Sequence, residues 1–163
     1  MSDVTTPAAT TPALAPTEAL RLHHTGVAVK DIAQAAANYV TRFGYSLASP
    51  VFHDPAQTAR VQFLKLPGQA AFLELVTPDG EQGKLVAATK AGGALHHLCF
   101  IANGPLEAEV ERLRSTGMLL ISEPTPAVAF AGRRICWLMG NDRVPVELIE
   151  PRFAADPCLP GLR

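Results

Sequence analysis

The chain has 163 residues, 48% of them hydrophobic, and a formal net charge of −1, the size and composition of one ordinary globular domain. With no basic stripe and no run of like charges it has no electrostatic footprint for nucleic acid or for an anionic membrane surface. No apolar segment approaches the roughly 20 residues that span a bilayer, and none is flanked as a signal peptide would be. Cys99, Cys136 and Cys158 are odd in number and lack CxxC spacing, so a soluble, reduced, cytoplasmic protein is expected, with Cys99 and Cys136 as small core residues.

Residues 1–19, rich in Thr, Ala and Pro, offer no periodic apolar face and are expected to be a disordered arm. The body, 20–151, opens with a strand over 22–29 in which alternation puts His24, Gly26 and Ala28 on one face and His23, Thr25 and Val27 on the other. A helix follows, capped by Asp31 with Gln34 three residues on, apolar at Ile32, Ala36, Tyr39, Val40 and Phe43, and stopped at Gly44. Strands over 45–53, 60–66 and 71–77 complete a first module, 21–78. A linker, 79–94, contains a short helix near Leu85 to Lys90.

The second module, 95–151, repeats this order: a strand over 95–102, a helix from Pro105 that buries Leu106, Val110 and Leu113 and stops at Gly117, then strands over 118–122, 133–139 and 144–150. Ile135, Trp137 and Met139 share the inward face of their strand and form an apolar wall. Residues 152–163, with Pro157, Pro160 and Gly161, read as a tail. The fold class is therefore α+β, two tandem βαβββ modules whose curved mixed sheets enclose a metal-binding cleft.

The modules repeat at one constant offset. Leu22-His23-His24 recurs as Leu95-His96-His97, and Glu74-Leu75-Val76-Thr77-Pro78 as Glu147-Leu148-Ile149-Glu150-Pro151. Gly44 falls on Gly117, Val40 on Leu113, Arg60 on Arg133 and Leu64 on Trp137 without a gap. Duplication alone accounts for the apolar and glycine matches. It does not require His and Glu to persist in both copies, because a sheet interior is filled more cheaply by Val or Leu. His24, Glu74, His97 and Glu147 are expected to form one site, against the plainer alternative of two separate hydrogen-bonded His/Glu pairs. His23 and His96, on the other face, are expected at an edge or behind the site.

Two neutral imidazoles and two carboxylates suit a divalent ion such as Co, Ni, Mn, Fe or Zn and cancel its charge. Six-coordination would leave two positions for oxygens of a small-molecule substrate, and a carbonyl held there acidifies its adjacent C–H.

These segments, with Leu22-His23-His24-Thr25-Gly26-Val27-Ala28-Val29, Phe72-Leu73-Glu74-Leu75, Ser122-Glu123-Pro124, Arg134-Ile135-Cys136-Trp137 and Val146-Glu147-Leu148, resemble the vicinal oxygen chelate superfamily of glyoxalases, bleomycin- and fosfomycin-resistance proteins and extradiol dioxygenases. Within it the chain is most similar to the methylmalonyl-CoA epimerase branch. The resemblance implies a divalent metal held by His24, Glu74, His97 and Glu147, an enolate route of epimerisation, isomerisation or lysis, an acyl-CoA among the candidate substrates, and a homodimer. It places the branch's second proton-transferring carboxylate on the strand Arg60-Val61-Gln62-Phe63-Leu64, at Gln62, an amide that cannot exchange a proton, so that Glu147 or a metal-bound water is left as the base. Trp137 and Ile135 would line the substrate site, and Arg134, with Arg60, Lys65 and Arg133, could meet phosphates or a carboxylate of a CoA ester. A glyoxalase-I-like isomerase and a non-catalytic binding or resistance protein are the alternatives.

Overall fold

In the computed structural model, residues 18–81, 85–90 and 92–152 are described. The expected arm up to residue 17, the tail beyond Arg152 and Cys158 lie outside them. The elements in chain order are β1 (Arg21–Ala28), α1 (Ile32–Phe43), β2 (Ser46–Leu47), β3 (Phe52–Asp54), β4 (Ala59–Lys65), β5 (Phe72–Pro78), α2 (Val86–Lys90), β6 (Ala94–Ile101), α3 (Leu106–Ser115), β7 (Leu119–Pro126), β8 (Arg134–Met139) and β9 (Pro145–Ile149), with a single 3₁₀ turn at Val128–Phe130.

All nine strands join in one curved, unclosed sheet in the order β2-β4-β5-β1-β6-β9-β8-β7, with β3 beside β4. Inside each module the first strand runs parallel to the last, β1 with β5 and β6 with β9. The seam between modules is the antiparallel pair β1–β6, formed within the one chain. This α+β arrangement is the tandem βαβββ architecture that the repeat predicts.

Helix α1 begins where the Asp31 side chain accepts a hydrogen bond from the Gln34 backbone N–H at 3.0 Å, and ends at Gly44, whose φ of 74° suits a residue without Cβ. Asp31→Ala should cost about 1 kcal/mol and lower the melting temperature measured by circular dichroism without touching the cleft. Only Ile32 and Ala36 of this helix are fully buried, against Leu64, Leu73 and Leu75. Val40 and Phe43 are 38% and 61% exposed, so the apolar stripe is narrower than the sequence pattern predicts. Helix α3 buries Leu106 and Val110 against Cys136, Leu138 and Leu148, with Leu113 packed alongside.

Two strand expectations need correction. The run 45–53 is split into β2 and β3, because Pro50 has no N–H to give a ladder. At the break, the Ser49 hydroxyl accepts from the Phe63 N–H at 2.9 Å. Strand β7 continues to Pro126, past the expected end at 122. It lies at the end of the sheet order, where Pro124 and Pro126 remove no needed donor.

Two outer clusters pack under α1 and α3, and a third fills the concave side with Phe63, Phe72, Val76, Cys99, Phe130, Ile135 and Ile149. Cys99 and Cys136 are both buried free thiols. Burial raises both, Cys136 to about 12.

Candidate metal centre

The site grows from two irregularities in the β1–β6 seam. Leu22 pairs with Phe100 and His24 with Cys99, so His23 is an extra residue on β1; Gly26 pairs with His97 and Val27 with Leu95, so His96 is an extra residue on β6. Each His-His pair thus carries a bulge at its first histidine, which re-aims side chains that strict alternation would set on opposite faces. Of the two places expected for His23, the edge does not hold, since it is 7% exposed and meets the rings of Phe63, Phe72 and Phe130 on the concave side, whereas a place behind the site fits. Its Nδ1 lies 2.8 Å from the His24 Nδ1, and the His96 Nδ1 lies 2.8 Å from the His97 Nδ1.

With Nδ1 engaged in this way, His24 and His97 turn their Nε2 atoms to each other at 2.9 Å. Glu74 Oε2 stands 3.5 Å from the first and 3.3 Å from the second, and Glu147 Oε2 3.3 Å and 3.9 Å. The four residues that the repeat singles out are therefore brought together by β1, β5, β6 and β9, the four central strands. Close approach depends on Gly26, since a Cβ there would lie 2.0 Å from His97 Cε1.

This cluster is poorly satisfied by itself. Burial holds His24 and His97 at about 3 and His23 at about 2, far below the usual imidazole range. Burial also raises the carboxyls of Glu74 and Glu147, the latter further through the Glu74 charge beside it. Glu147 Oε2 is buried without a hydrogen-bond partner among the described residues. His24, Glu74 and His97 place their ligand atoms within 4.8 Å of one another, a donor set that suits a single ion, and the orphaned Glu147 Oε2 adjoins it, 3.3 Å from the His24 Nε2. The residues present fit a divalent cation.

The cluster opens on a cleft of about 490 Å³ whose walls include Val61, Phe130, Ile135, Trp137 and Met139. Phe130 stacks on His24 at 6.3 Å between centroids, and Trp137 meets His97 edge to face at 4.8 Å. The Trp137 Nε1–H donates to Gln57 Oε1 at 3.1 Å, which fixes the indole.

A family model described as the Glyoxalase/Bleomycin resistance protein/Dioxygenase superfamily matches residues 23–137. The chain belongs to that superfamily. It is 28% identical over 124 residues to the ethylmalonyl-CoA/methylmalonyl-CoA epimerase of Cereibacter sphaeroides, covering 75% of this chain and 90% of that protein. The crystal structure of methylmalonyl-CoA epimerase from Mycobacterium tuberculosis superposes with a TM-score of 0.73 at 29% identity, over 86% of this chain and 94% of that one. A Streptomyces coelicolor methylmalonyl-CoA epimerase variant in complex with 2-nitronate-propionyl-CoA superposes with a TM-score of 0.70 at 25% identity, over 85% and 100%.

Within this glyoxalase-superfamily chain, Ile135 and Trp137 line the cleft as the alternation predicts. Gln62 does not. It pairs with Leu75, on the face that packs under α1, and its side-chain amide donates to the Ser49 carbonyl at 3.2 Å. Strand β4 turns Ala59 and Val61 to the cleft instead. Arg134 is also directed away: it forms ion pairs with Glu150 and with Glu107 on α3. Arg60 and His53 share Asp79 at the surface, and Lys65 lies over the Phe72 ring. Sequence reasoning missed Phe130, Gln57 and Asp54 as cleft residues. Asp54 accepts from the backbone N–H of Gln57 at 3.2 Å and of Val128 at 3.3 Å, tying β3 to the 3₁₀ turn.

Proposed function

We propose that the chain is a divalent-metal-dependent enzyme of the epimerase and isomerase kind, acting on a chelated carbonyl substrate of the acyl-thioester class through an enolate. One observation carries this reading: two Nε2 atoms and two carboxylate oxygens, Glu147 Oε2 without a hydrogen-bond partner, converge at the floor of a mostly apolar cleft. The likeness to methylmalonyl-CoA epimerases supports the substrate class.

When bound, the ion would polarise the substrate carbonyl and make its α C–H acidic. His24 and His97 would hold it through Nε2, which leaves the proton on Nδ1 to be donated to the neighbouring histidine 2.8 Å away. Glu74 and Glu147 supply the compensating charge. Glu147, ionised beside the cation, would take the α proton and return it. Phe130 and Trp137 keep water from the reacting carbon.

A second reading rests on the cleft face of β4, where Ala59 and Val61 offer no proton carrier. Asp54, another carboxylate on the wall, is committed to two backbone N–H groups. One base on one face is what a glyoxalase-type shift of a proton between adjacent carbons requires. Inversion needs a donor opposite, for which the wall offers His96 and Ser122.

Metal analysis of the purified protein beside His97→Ala, followed by NMR in deuterated water with a panel of 2-substituted acyl-CoA thioesters that includes methylmalonyl-CoA, tests the proposal. Bound metal that is lost in the variant, with deuterium entering the α-carbon, is the expected result. Metal without exchange on any member would remove the acyl-CoA class, and absence of metal from both proteins would sink the enzyme reading.

A further inference from the structure

Gln57 and Ser122 stand in the cleft wall with Trp137, and that one residue engages both. Trp137, the single tryptophan of the chain, donates its indole Nε1–H to Gln57 Oε1 at 3.1 Å and its backbone N–H to Ser122 Oγ at 3.2 Å. An N–H can only donate, so both partners accept in these bonds. The Gln57 amide is thereby oriented, with its oxygen on the indole and both amide hydrogens kept on Nε2. The Ser122 hydroxyl likewise keeps its hydrogen. Among the described residues neither donor has an acceptor.

The two donors are held from different modules. Gln57 lies in the turn between β3 and β4, where its backbone N–H donates to the buried Asp54 carboxylate at 3.2 Å, while the other Asp54 oxygen accepts from the Val128 N–H at 3.3 Å. Thr58, next in the chain, has a φ of 53°, a left-handed conformation that a β-branched residue adopts only at a cost. Ser122 lies on β7 opposite Trp137, between two register shifts of the β7–β8 pair, at Leu120/Ser122 and Ser122/Thr125, and such irregularities re-aim a side chain. Strain on one side and irregular pairing on the other hold the two donors on the same tryptophan.

The side chains of Val61, Ala129, Phe130 and Ile135, also in the wall, accept no hydrogen bond. Water would satisfy the two donors before a ligand arrives. A ligand that displaced it without supplying an acceptor would leave them unpaired, which is how a hydrogen-bonding site rejects an analogue that lacks the matching group.

We infer that Gln57 Nε2 and Ser122 Oγ form a two-donor subsite for one carbonyl or carboxylate oxygen of the acyl group, so that the cleft selects acyl thioesters bearing a second oxygen over plain hydrocarbon ones. The inference rests on the proposed acyl-thioester reading and names the residues that would select the substrate. An ion would also favour a second oxygen, so the test turns on the donors alone.

Titration of the metal-loaded protein, followed by Trp137 fluorescence, compares 2-methylacetoacetyl-CoA with 2-methylbutanoyl-CoA, in which a methylene replaces the keto group. Gln57→Glu keeps an oxygen for the indole N–H and removes both amide hydrogens. It should weaken binding of the keto compound at least about tenfold, or about 1.4 kcal/mol, and of the methylene compound less than about twofold, with metal content unchanged. Ser122→Ala, which removes the other donor, should shift the same ratio in the same direction. Methylmalonyl-CoA beside the keto compound on the unaltered protein tells whether a carboxylate or a ketone is the favoured oxygen. Losses that are equal for the keto and methylene compounds, or absent, in both variants overturn the inference; the chelate reading still stands if the unaltered protein holds metal and prefers the keto compound. Binding of none of the three by protein that holds metal overturns the inference and the acyl-thioester reading together.

Discussion

Removal of divalent metal by EDTA at neutral pH should lower the melting temperature by about 10 °C. A ligand present at a thousandfold excess over its Kd stabilises the folded state by about 4 kcal/mol, and a domain of this size moves by about 2–4 °C per kcal/mol. The effect should depend on pH in a defined way. In the metal-free protein, His24 and His97 stay neutral down to about 3, while in the unfolded chain they protonate near 6.5. Their contribution is therefore intact above about 6.5 and is lost progressively as pH falls toward 3. Glu74 and Glu147 act in the opposite sense, since their carboxyls are raised in the folded state. They favour the fold below about 4.5 and oppose it as pH rises through their raised values. A cation requires neutral His and ionised Glu together, so its stabilisation should be greatest near neutrality and vanish near pH 4, where protons replace it. Scanning calorimetry with and without EDTA across that range checks the shape; a melting temperature indifferent to EDTA at neutral pH would rule out a resident ion.

Gly26→Ala should damage the fold and the site together. The new Cβ would meet His97 Cε1 at 2.0 Å, Nδ1 at 2.2 Å and Nε2 at 2.7 Å. The imidazole cannot retreat, because its Nδ1 is held by His96 and its edge packs on Trp137. Overpacking of this kind costs about 3 kcal/mol, and any ring that does move carries its Nε2 out of the cluster. Metal content should fall with stability. Gly44→Ala is the informative comparison: at φ 74° with open space around it, it should cost only about 1 kcal/mol of backbone strain and leave metal content intact. Equal metal content in the two variants would contradict this account of Gly26.

Much of this arrangement was legible in the residues because the repeat constrains it twice. Asp31 with Gly44, and Pro105 with Gly117, bracket helices whose positions the structure reproduces. The convergence of His24, Glu74, His97 and Glu147 followed from two strand registers that repeat at one spacing. Alternation also held within β8, where Ile135 faces the cleft, and by the same rule Arg134 had to face away. The bulges at His23 and His96 were not legible, since strict alternation has no term for an inserted residue, and only pairing across the seam reveals them. Gln62 was misplaced by counting along the chain without asking which face it shares; Val61 and Phe63, its neighbours, belong to the concave side. The break of the expected 45–53 strand lay in plain view at Pro50.

The β1–β6 seam has a consequence for when and how an ion could be acquired. A first half emerging alone presents only His24 and Glu74 of the four proposed ligands, too few for selective capture. Its complement arrives with β6 and β9, later in the chain. An ion of the proposed kind would therefore be loaded only into the finished shape, and preference among competing cations would be exercised by a preformed cage rather than by a nascent chain, which would bind according to intrinsic affinity alone.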